Sequence, residues 1–379
     1  MDFRFSEEQQ ALVDSAREFL KAHSGPEAIR AAMGTDQGYD KGVWQQIATE
    51  LGWPSVHIPE AYGGLGLGYV DLVVLLEAMG EALLCAPFFS SVALGANTIL
   101  AVASEAQKEA LLPPIAEGRS TATLALCETS GRWDVASIAT TARSDGDGFV
   151  IDGTKTWVVD GHTSDLLLVA ARKPGTTGTD GIAVFAVPAQ TAGLDRTLRP
   201  TMDQTRRVAE VRLANVRVGR DACLGEFGAA APGLARALDL AAIALAAEQV
   251  GGAQRCLDMA VAYAKERQQF GRPIGSFQAI KHKAADMLVA VESARSALYY
   301  AACIVDDGSD DLATNASLAK AWCSEAYFKC AADNIQIHGG VGFTWEYDPH
   351  LHFKRARAGE SWLGTPADHR ERVAKALGL

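Results

Sequence analysis

The spacing of hydrophobic and polar positions changes twice along the chain, and these changes predict three zones. Residues 1 to about 120 are rich in Ala, Leu and Glu, and their apolar positions recur every three or four residues, as in FSEEQQALVDSAREFL. This spacing is typical of amphipathic helices. Ser6 followed by Gln9 predicts a capping box at the start of the first helix. We therefore expect the first zone to be helical.

Short apolar runs replace the helical spacing between residues 121 and about 222. TATLALCE, GFVIDGTKTWVV, DLLLVAAR, GIAVFAVP and AEVRLANVRV are typical of β-strands, and turn signals such as Asp145-Gly146 and Asp152-Gly153 accompany them. Helical spacing then returns over Gly233–Arg267, Ser276–Asp306, Leu312–Ile337 and a shorter terminal helix. We expect an α+β fold with three domains, namely an N-terminal all-α domain (1–121), a middle β domain (122–224) and a C-terminal helical bundle (225–379).

Composition excludes several classes of function. The formal net charge of −11 argues against binding to nucleic acid or to an acidic membrane, because both need basic patches. No run approaches the ~18 consecutive apolar residues that span a bilayer. The first residues, MDFRFSEEQQ, are too acidic and polar for a secretory signal. The seven cysteines include no C-x-x-C pair, so we expect neither a disulfide framework nor a zinc site, and a reducing cytoplasm fits best.

Two local patterns suggest sites but favour simpler interpretations. The segment AYGGLGLGY (61–69) is glycine-rich, yet it lacks the G-x-G-x-x-G spacing and the preceding strand of a nucleotide loop, so we predict a plain loop between helices. His350 and His352 alternate as on an extended segment and could bind a metal together with Asp348. Since no further ligand cluster supports a metal, we expect surface or interface histidines.

Three longer segments are more specific in combination: PEAYGGLGLGYVDLVVLLEAMGEAL (59–83), ERQQFGRPIGSFQAIKHKAADM (266–287) and IQIHGGVGFTWEYDPHLHFKRAR (335–357). In this order and at these distances, the chain resembles the acyl-CoA dehydrogenase family from Phe3 to its end. The resemblance implies a helical domain, a middle β domain and a C-terminal four-helix bundle. It also implies a flavoprotein that removes a proton from Cα and a hydride from Cβ of an acyl-CoA thioester. The hydride passes to FAD, and electron-transfer flavoprotein reoxidises the flavin.

The resemblance also assigns expected cofactor contacts. Arg267 would pair with the FAD pyrophosphate of a neighbouring subunit, Phe270 would pack beside the adenosine, and Trp157 would flank the isoalloxazine. Further expected FAD contacts are Gln278, Gln336, Gly339, Gly340 and Thr365. The simpler alternative for each position is a packing or helix-end residue.

Several positions depart from the pattern of the family. CETSGRWD (127–134) stands where the family has T-E-P-G-x-G-S-D, so Arg132 and Trp133 replace a small Gly-Ser pair that contacts flavin and thioester. An indole there would fill space that a flavin or a pantetheine arm would otherwise use. Val159 stands where the family places a threonine contact to the flavin.

Both positions of the family's catalytic glutamate lack a carboxylate. The site before the terminal Gly-Thr is Leu363, and the alternative site on the first bundle helix is Ala241. Glu360 is a weak candidate for the base, because the nearby arginines Arg355 and Arg357 favour an ion pair and a lowered pKa. For Glu248, two helical turns beyond Ala241, we expect a buried polar contact.

The retained cofactor residues and the empty base sites together predict a specialised role. We expect the FAD-holding, base-lacking subunit of a cytoplasmic α2β2 acyl-CoA dehydrogenase. It would pair with a paralogous subunit and act on a CoA thioester, with the side chain of a steroid, and hence steroid catabolism, as one candidate. One alternative is a self-sufficient homotetrameric dehydrogenase, or a flavin oxidase or monooxygenase, with an atypical base. Another is a flavin-free assembly subunit.

Overall fold

A computed structural model describes residues 6–379, so Phe3, where the resemblance begins, lies outside the described residues. The chain forms two compact units. The helical unit comprises the chain up to Ala31, Tyr69–Leu84 and Ala242–Leu379. The sheet unit comprises Ala32–Gly68 and Cys85–Ala241.

Helices occupy most of both chain ends, as the spacing predicts. The α-helices among the described residues are α1 (Glu7–His23), α2 (Pro26–Met33), α3 (Lys41–Gln45), α4 (Tyr69–Glu81), α5 (Asn97–Val102), α6 (Glu105–Ala116), α7 (Ala231–Glu266), α8 (Gln278–Asp306), α9 (Leu312–His338), α10 (Pro349–Ser361) and α11 (Pro366–Ala376). The expected long helices are thus confirmed, with ends shifted by one or two residues. The capping box is also confirmed, since the Ser6 hydroxyl accepts a hydrogen bond from the Gln9 backbone N–H at 3.1 Å and the Gln9 side chain accepts one from the Ser6 N–H.

Close helix packing in the helical unit depends on a glycine pair in α7. A Cβ at Gly251 would lie 1.8 Å from the Glu77 carbonyl oxygen of α4, and one at Gly252 would lie 2.3 Å from the Tyr327 ring of α9. Only glycine allows such close approach. Glu77 is itself buried, and Arg295 (3.0 Å) and the Tyr299 hydroxyl (2.7 Å) both donate to its carboxylate. The buried Glu77 carboxylate is therefore paired within this core.

The sheet unit contains one eight-stranded sheet. Its strands are β1 (Ala122–Ala125), β2 (Thr141–Asp145), β3 (Gly148–Val159), β4 (Leu166–Arg172), β5 (Ile182–Pro188), β6 (Leu194–Arg199), β7 (Val208–Gly219) and β8 (Cys223–Leu224). The order is β6-β7-β3-β2-β4-β5-β8, with β1 parallel to β4 and the long hairpin-like pairs antiparallel. Phe149, Phe185 and Phe227 meet in its core. The expected α+β class is confirmed.

Two strand details differ from the sequence prediction. Asp152-Gly153 is not a turn, because β3 continues through it with a shift in register against β7. The strands β2 and β6 escaped the prediction, since their runs TARSD and LDRTLR contain few apolar residues. Strand pairing supplies the stability that these two sequences lack.

Helix α8 differs from the expectation that no segment could span a bilayer. Among the described residues it is the one helix whose length and composition would allow it to cross a membrane. The expectation required a run of consecutive apolar residues, whereas α8 meets the criterion through the mean hydropathy of an 18-residue window. One face of α8, with Met287, Val291 and Leu298, is buried inside the helical unit, whereas Leu288 and Val289 are exposed.

Candidate functional site

The motif RQQFGRP forms a tight hairpin after α7. Residues 268–269 (β9) pair with 272–273 (β10), and Phe270 and Gly271 form the loop with φ of 54° and 74°. Two consecutive positive φ angles are typical of a two-residue hairpin turn, and they are unfavourable for a side chain other than Asn, Asp or Gly. The hairpin leaves the Phe270 side chain 92% exposed, with only an edge contact to Phe277. Phe270 is thus a strained aromatic presented to solvent.

Arg267 precedes this hairpin and is exposed. Its backbone is fixed, since its N–H donates to the Tyr263 carbonyl at 2.9 Å and its carbonyl accepts from Ile274 at 2.8 Å. Its guanidinium forms no ion pair with any described residue. The geometry therefore presents an uncommitted cation from a fixed backbone. Gln278, the first residue of α8, is also exposed.

The end of α9 lies beside the same region. His338, its last residue, stacks on Tyr263 with 4.2 Å between ring centroids, and Tyr263 is one turn before Arg267. Gly339 has φ 66° and ψ −143°, which only glycine adopts readily. A Cβ at Gly339 or Gly340 would meet no atom within 4 Å, and Gln336 is exposed. The structure thus brings the Q-x-x-G-G main chain and the Arg267 hairpin together as an open surface.

The turn between α10 and α11 contains Leu363 and Thr365. Leu363 is buried with φ 58°. The Thr365 hydroxyl caps α11 by accepting the Asp368 backbone N–H at 3.2 Å, and it donates to the Asp368 carboxylate at 2.7 Å. From beneath, the buried Lys320 ammonium donates to the Gly359 carbonyl at 3.2 Å and to the Gly364 carbonyl at 3.3 Å. Burial lowers the pKa of Lys320 to about 7. Sequence reasoning missed Lys320, although a lysine within the apolar face of α9 is an unusual feature.

In the sheet unit, Trp157 is 47% exposed although it lies within β3. It adopts φ 55° at a break in register between Lys155 and Val158. This is a β-bulge, a feature that re-aims side chains and is frequent beside active sites. Val159 is buried, as a strand-core residue would be.

Three domain models cover nearly the whole chain. They are those of the acyl-CoA dehydrogenase N-terminal domain (residues 6–119), middle domain (123–216) and C-terminal domain (233–378). The chain belongs to the acyl-CoA dehydrogenase family. It is 35% identical to acyl-CoA dehydrogenase IpdE2 of Mycolicibacterium smegmatis over 368 residues, which is 97% of this chain and 98% of that protein.

Solved structures that are similar to this chain agree with the family assignment. In the ChsE4–ChsE5 complex from Mycobacterium tuberculosis, one chain matches with a TM-score of 0.90 and 29% identity, over 100% of this chain and 99% of that one. A variant of the Tcur3481–Tcur3483 steroid acyl-CoA dehydrogenase matches with a TM-score of 0.88 and 32% identity, over 98% of both chains.

The residues present fit the FAD that the family implies. An unpaired guanidinium suits a pyrophosphate, and open glycine backbone lets amides approach a ligand. Exposed aromatic faces suit the adenosine and the isoalloxazine. Among the expected FAD contacts, Thr365 differs because its hydroxyl already forms hydrogen bonds with Asp368 at the start of α11.

Neither of the two positions that the resemblance assigns to the catalytic glutamate holds a group that can accept a proton. The side chains of Ala241 and Leu363 are apolar and buried. Glu360 contacts the Arg357 guanidinium on the same face of α10, as the ion-pair interpretation predicts. Glu248 is buried, with its backbone against Gly80.

Charged residues of the CETSGRWD loop (127–134), which departs from the family motif, form ion pairs. Arg132 donates to the Asp134 carboxylate at 2.8 Å, and Trp133 beside it is half-buried. Glu128 forms a buried ion pair with Lys155, a lysine that sequence reasoning missed.

The expectation for His350 and His352 was wrong. Both lie in the first turn of α10 rather than on an extended segment, and both are buried rather than at the surface. His352 Nδ1 forms a hydrogen bond of 2.9 Å with the Tyr327 hydroxyl, and burial lowers the pKa of His352 to about 3. The helix is covered on more than one side, so residues two apart are both internal.

Proposed function

We propose that the chain is the FAD-holding, base-lacking subunit of a heteromeric acyl-CoA dehydrogenase. A paralogous subunit supplies the catalytic carboxylate, and the complex oxidises the Cα–Cβ bond of a CoA thioester. We further propose a steroid side chain as the acyl group, electron-transfer flavoprotein as the electron acceptor and the cytoplasm as the location.

The observation that carries the proposal is the contrast between the expected positions of the catalytic base and the expected positions of the cofactor contacts. The base positions contain buried alanine and leucine, which cannot accept a proton. The cofactor positions present an unpaired Arg267, an exposed Phe270 and an open Gly339-Gly340 backbone. A chain that had lost its flavin would have no reason to keep a strained, solvent-facing phenylalanine.

In this mechanism the chain binds and orients rather than transfers the proton. Bound FAD supplies the acceptor for the hydride that leaves Cβ. Arg267 would hold the pyrophosphate through charge-assisted hydrogen bonds, and the Gly339-Gly340 backbone would approach the cofactor. The Trp157 indole would cover the isoalloxazine and exclude water.

The comparisons support the finer parts of this proposal. One similar structure is a complex of two named chains, and another is described as a steroid acyl-CoA dehydrogenase. All seven cysteines are free thiols, as a reducing cytoplasm favours.

Co-expression with a paralogue encoded beside this chain tests the proposal. We expect a stable complex of equal subunit numbers that binds FAD and bleaches anaerobically with acyl-CoA, whereas this chain alone retains little flavin. A matched control is the complex in which the paralogue's glutamate is changed to glutamine, which should keep FAD and lose bleaching.

Two outcomes would overturn the proposal. A homotetramer of this chain with one FAD per subunit that bleaches alone would indicate a self-sufficient enzyme with an atypical base. A complex that retains no flavin would indicate an assembly subunit.

A further inference from the structure

The β-bulge that carries Trp157 is next to an unusual buried residue. In the register of β3 against β7, Lys155 faces Val211 and Val158 faces Ala209. Thr156 and Trp157 therefore both oppose Glu210, and Trp157 takes the left-handed conformation. The indole leaves the sheet while Lys155, two residues earlier, points into the interior with 0% exposure.

Lys155 is held by a buried polar cluster. Its ammonium lies 2.7 Å from Glu128 Oε1 and donates to the Leu126 carbonyl at 3.1 Å. The same carboxylate accepts the backbone N–H groups of Ala139 at 2.9 Å and Thr140 at 2.8 Å. One carboxylate thus joins the strand of Trp157 to two other segments of the sheet unit.

Thr156, the bulge residue between Lys155 and Trp157, adds two further hydrogen bonds to the segment of Glu128. The Thr156 N–H donates to the Cys127 carbonyl at 2.8 Å, and its hydroxyl donates to the Glu128 carbonyl at 2.9 Å. The residue just before Trp157 is therefore bonded through both its backbone and its side chain to the CETSGRWD loop, where the family's flavin motif lies.

Stability alone does not explain this pair. Replacing a buried ion pair by well-packed apolar residues is often neutral or stabilising, because desolvation of the charges offsets their attraction. A cluster that fixes three segments at specific hydrogen-bonding distances instead restricts the backbone to one arrangement. That arrangement is the bulge with its outward indole.

We propose that the Lys155–Glu128 pair is a positioning device for Trp157, which it holds in the bulged conformation that presents the indole to the flavin. This inference rests on the proposed function, because it requires bound FAD. Lys155 and Glu128 act through Trp157 and are positioning residues, not catalytic ones.

The test uses the assembled complex and four variants: Lys155→Met, Lys155→Arg, Trp157→Phe and the double variant Lys155→Met/Trp157→Phe. An indole against a flavin quenches the flavin's fluorescence, so this signal reports the ring's position. We expect Lys155→Met to raise the fluorescence of bound flavin and to weaken FAD binding about fivefold, the value of one aromatic stacking contact. Lys155→Arg, which can keep the pair, should stay close to wild type.

The double variant isolates the route of the effect. If Lys155 acts through Trp157, Lys155→Met should change the flavin fluorescence little in the Trp157→Phe background. An equal change in both backgrounds, or no change in either with FAD bound, would overturn the inference while leaving the proposed function intact. A wild-type complex without flavin would refute both.

A second measurement covers the case in which Lys155→Met does not assemble. Thr156→Val leaves the ion pair in place and removes one bond to the loop. Acrylamide quenching of Trp157, taken as the difference from Trp157→Phe in the same background, should increase in this variant. Unchanged quenching and unchanged flavin fluorescence would contradict the proposed role of the cluster.

Discussion

Single side chains decide whether this chain can catalyse, and Glu360 is the carboxylate nearest in sequence to the terminal base position. Its side chain contacts the Arg357 guanidinium and is about four-fifths buried, at 21% exposure. Its backbone carbonyl faces the buried Lys320 at 3.4 Å. Both contacts hold Glu360 in the structure of α10, three residues before Leu363, where we propose that the base is missing. These contacts therefore favour a structural role for Glu360.

Glu360→Gln should leave anaerobic flavin bleaching by the assembled complex nearly unchanged. Loss of a positioned general base costs ~10²–10⁴-fold in rate, whereas loss of such an ion pair costs ~0–1 kcal/mol of stability. Glu325→Gln, which breaks the exposed pair with Arg370, is the matched control. A hundredfold slower reduction in Glu360→Gln alone, with FAD still bound, would make Glu360 the base.

Arg267→Ala should weaken retention of FAD in the complex. Removing a charge-assisted contact costs about 1.5–3 kcal/mol, which is roughly one to two decades in affinity. Arg143→Ala, which removes an exposed cation of β2, controls for loss of a surface charge. Equal flavin content in the two variants after dialysis would contradict the assignment of Arg267.

At the scale of elements, the turn between α10 and α11 depends on Lys320 of α9. Its ammonium is buried, donates to Ser324 at 2.8 Å and otherwise faces backbone carbonyls of the turn. A cation near the last carbonyls of a helix is favourable, but burial raises the free energy of the charged form. The turn contains Leu363, which has a left-handed backbone conformation, and Thr365, which caps α11.

This burial predicts a pH dependence of stability. The pKa of Lys320 is lowered from 10.5 to about 7 in the folded state, so between these values the unfolded chain binds more protons and stability rises with pH. Replacing the lysine by methionine should remove a rise of about 1–2 kcal/mol between pH 7 and 8.5. Denaturant midpoints measured across that range for wild type and Lys320→Met test this. Parallel pH profiles would show that Lys320 keeps its ordinary pKa.

At the scale of the whole molecule, the helical unit exposes many large apolar side chains. Those more than 40% exposed include Leu288, Val289, Leu318, Trp322, Phe343 and Trp345. Leu318 and Trp322 lie one helical turn apart on α9 and so share one face of it, and contiguous exposed apolar residues typically mark a surface that a partner covers. It agrees with the proposal that this chain functions in a heteromer.

The assembled complex should therefore unfold at a higher temperature than this chain alone, and its midpoint should rise with concentration. Light scattering of the single chain should show self-association or aggregation, which the paralogue suppresses. Scans at several concentrations, with and without the paralogue, provide the measurement. The need for a partner would be contradicted if the single chain stays monomeric and if its unfolding temperature is the same with and without the paralogue.

Local patterns in the sequence determined much of the architecture. Apolar spacing fixed the long helices and most strands, and the pair Ser6 and Gln9 marked a helix start, because these features depend on neighbours within four residues. The motifs around Arg267 and Gly339 likewise indicated the cofactor positions that we propose. The interpretation of Leu363 and Ala241 as base positions without a base also comes from the sequence, and it stays part of the proposal.

Tertiary structure decided the features that depend on distant partners. The Lys155–Glu128 pair joins residues 27 apart, and the Lys320 contacts join residues about 40 apart, so no local pattern could predict them. The bulge at Trp157 depends on pairing with β7, and the burial of His350 and His352 depends on the elements that surround α10. The sequence thus determined which elements form and which chemical groups they carry. Only packing decided which charged groups are buried and which direction their neighbours face, because burial is a property of contacts between segments that are far apart in the chain.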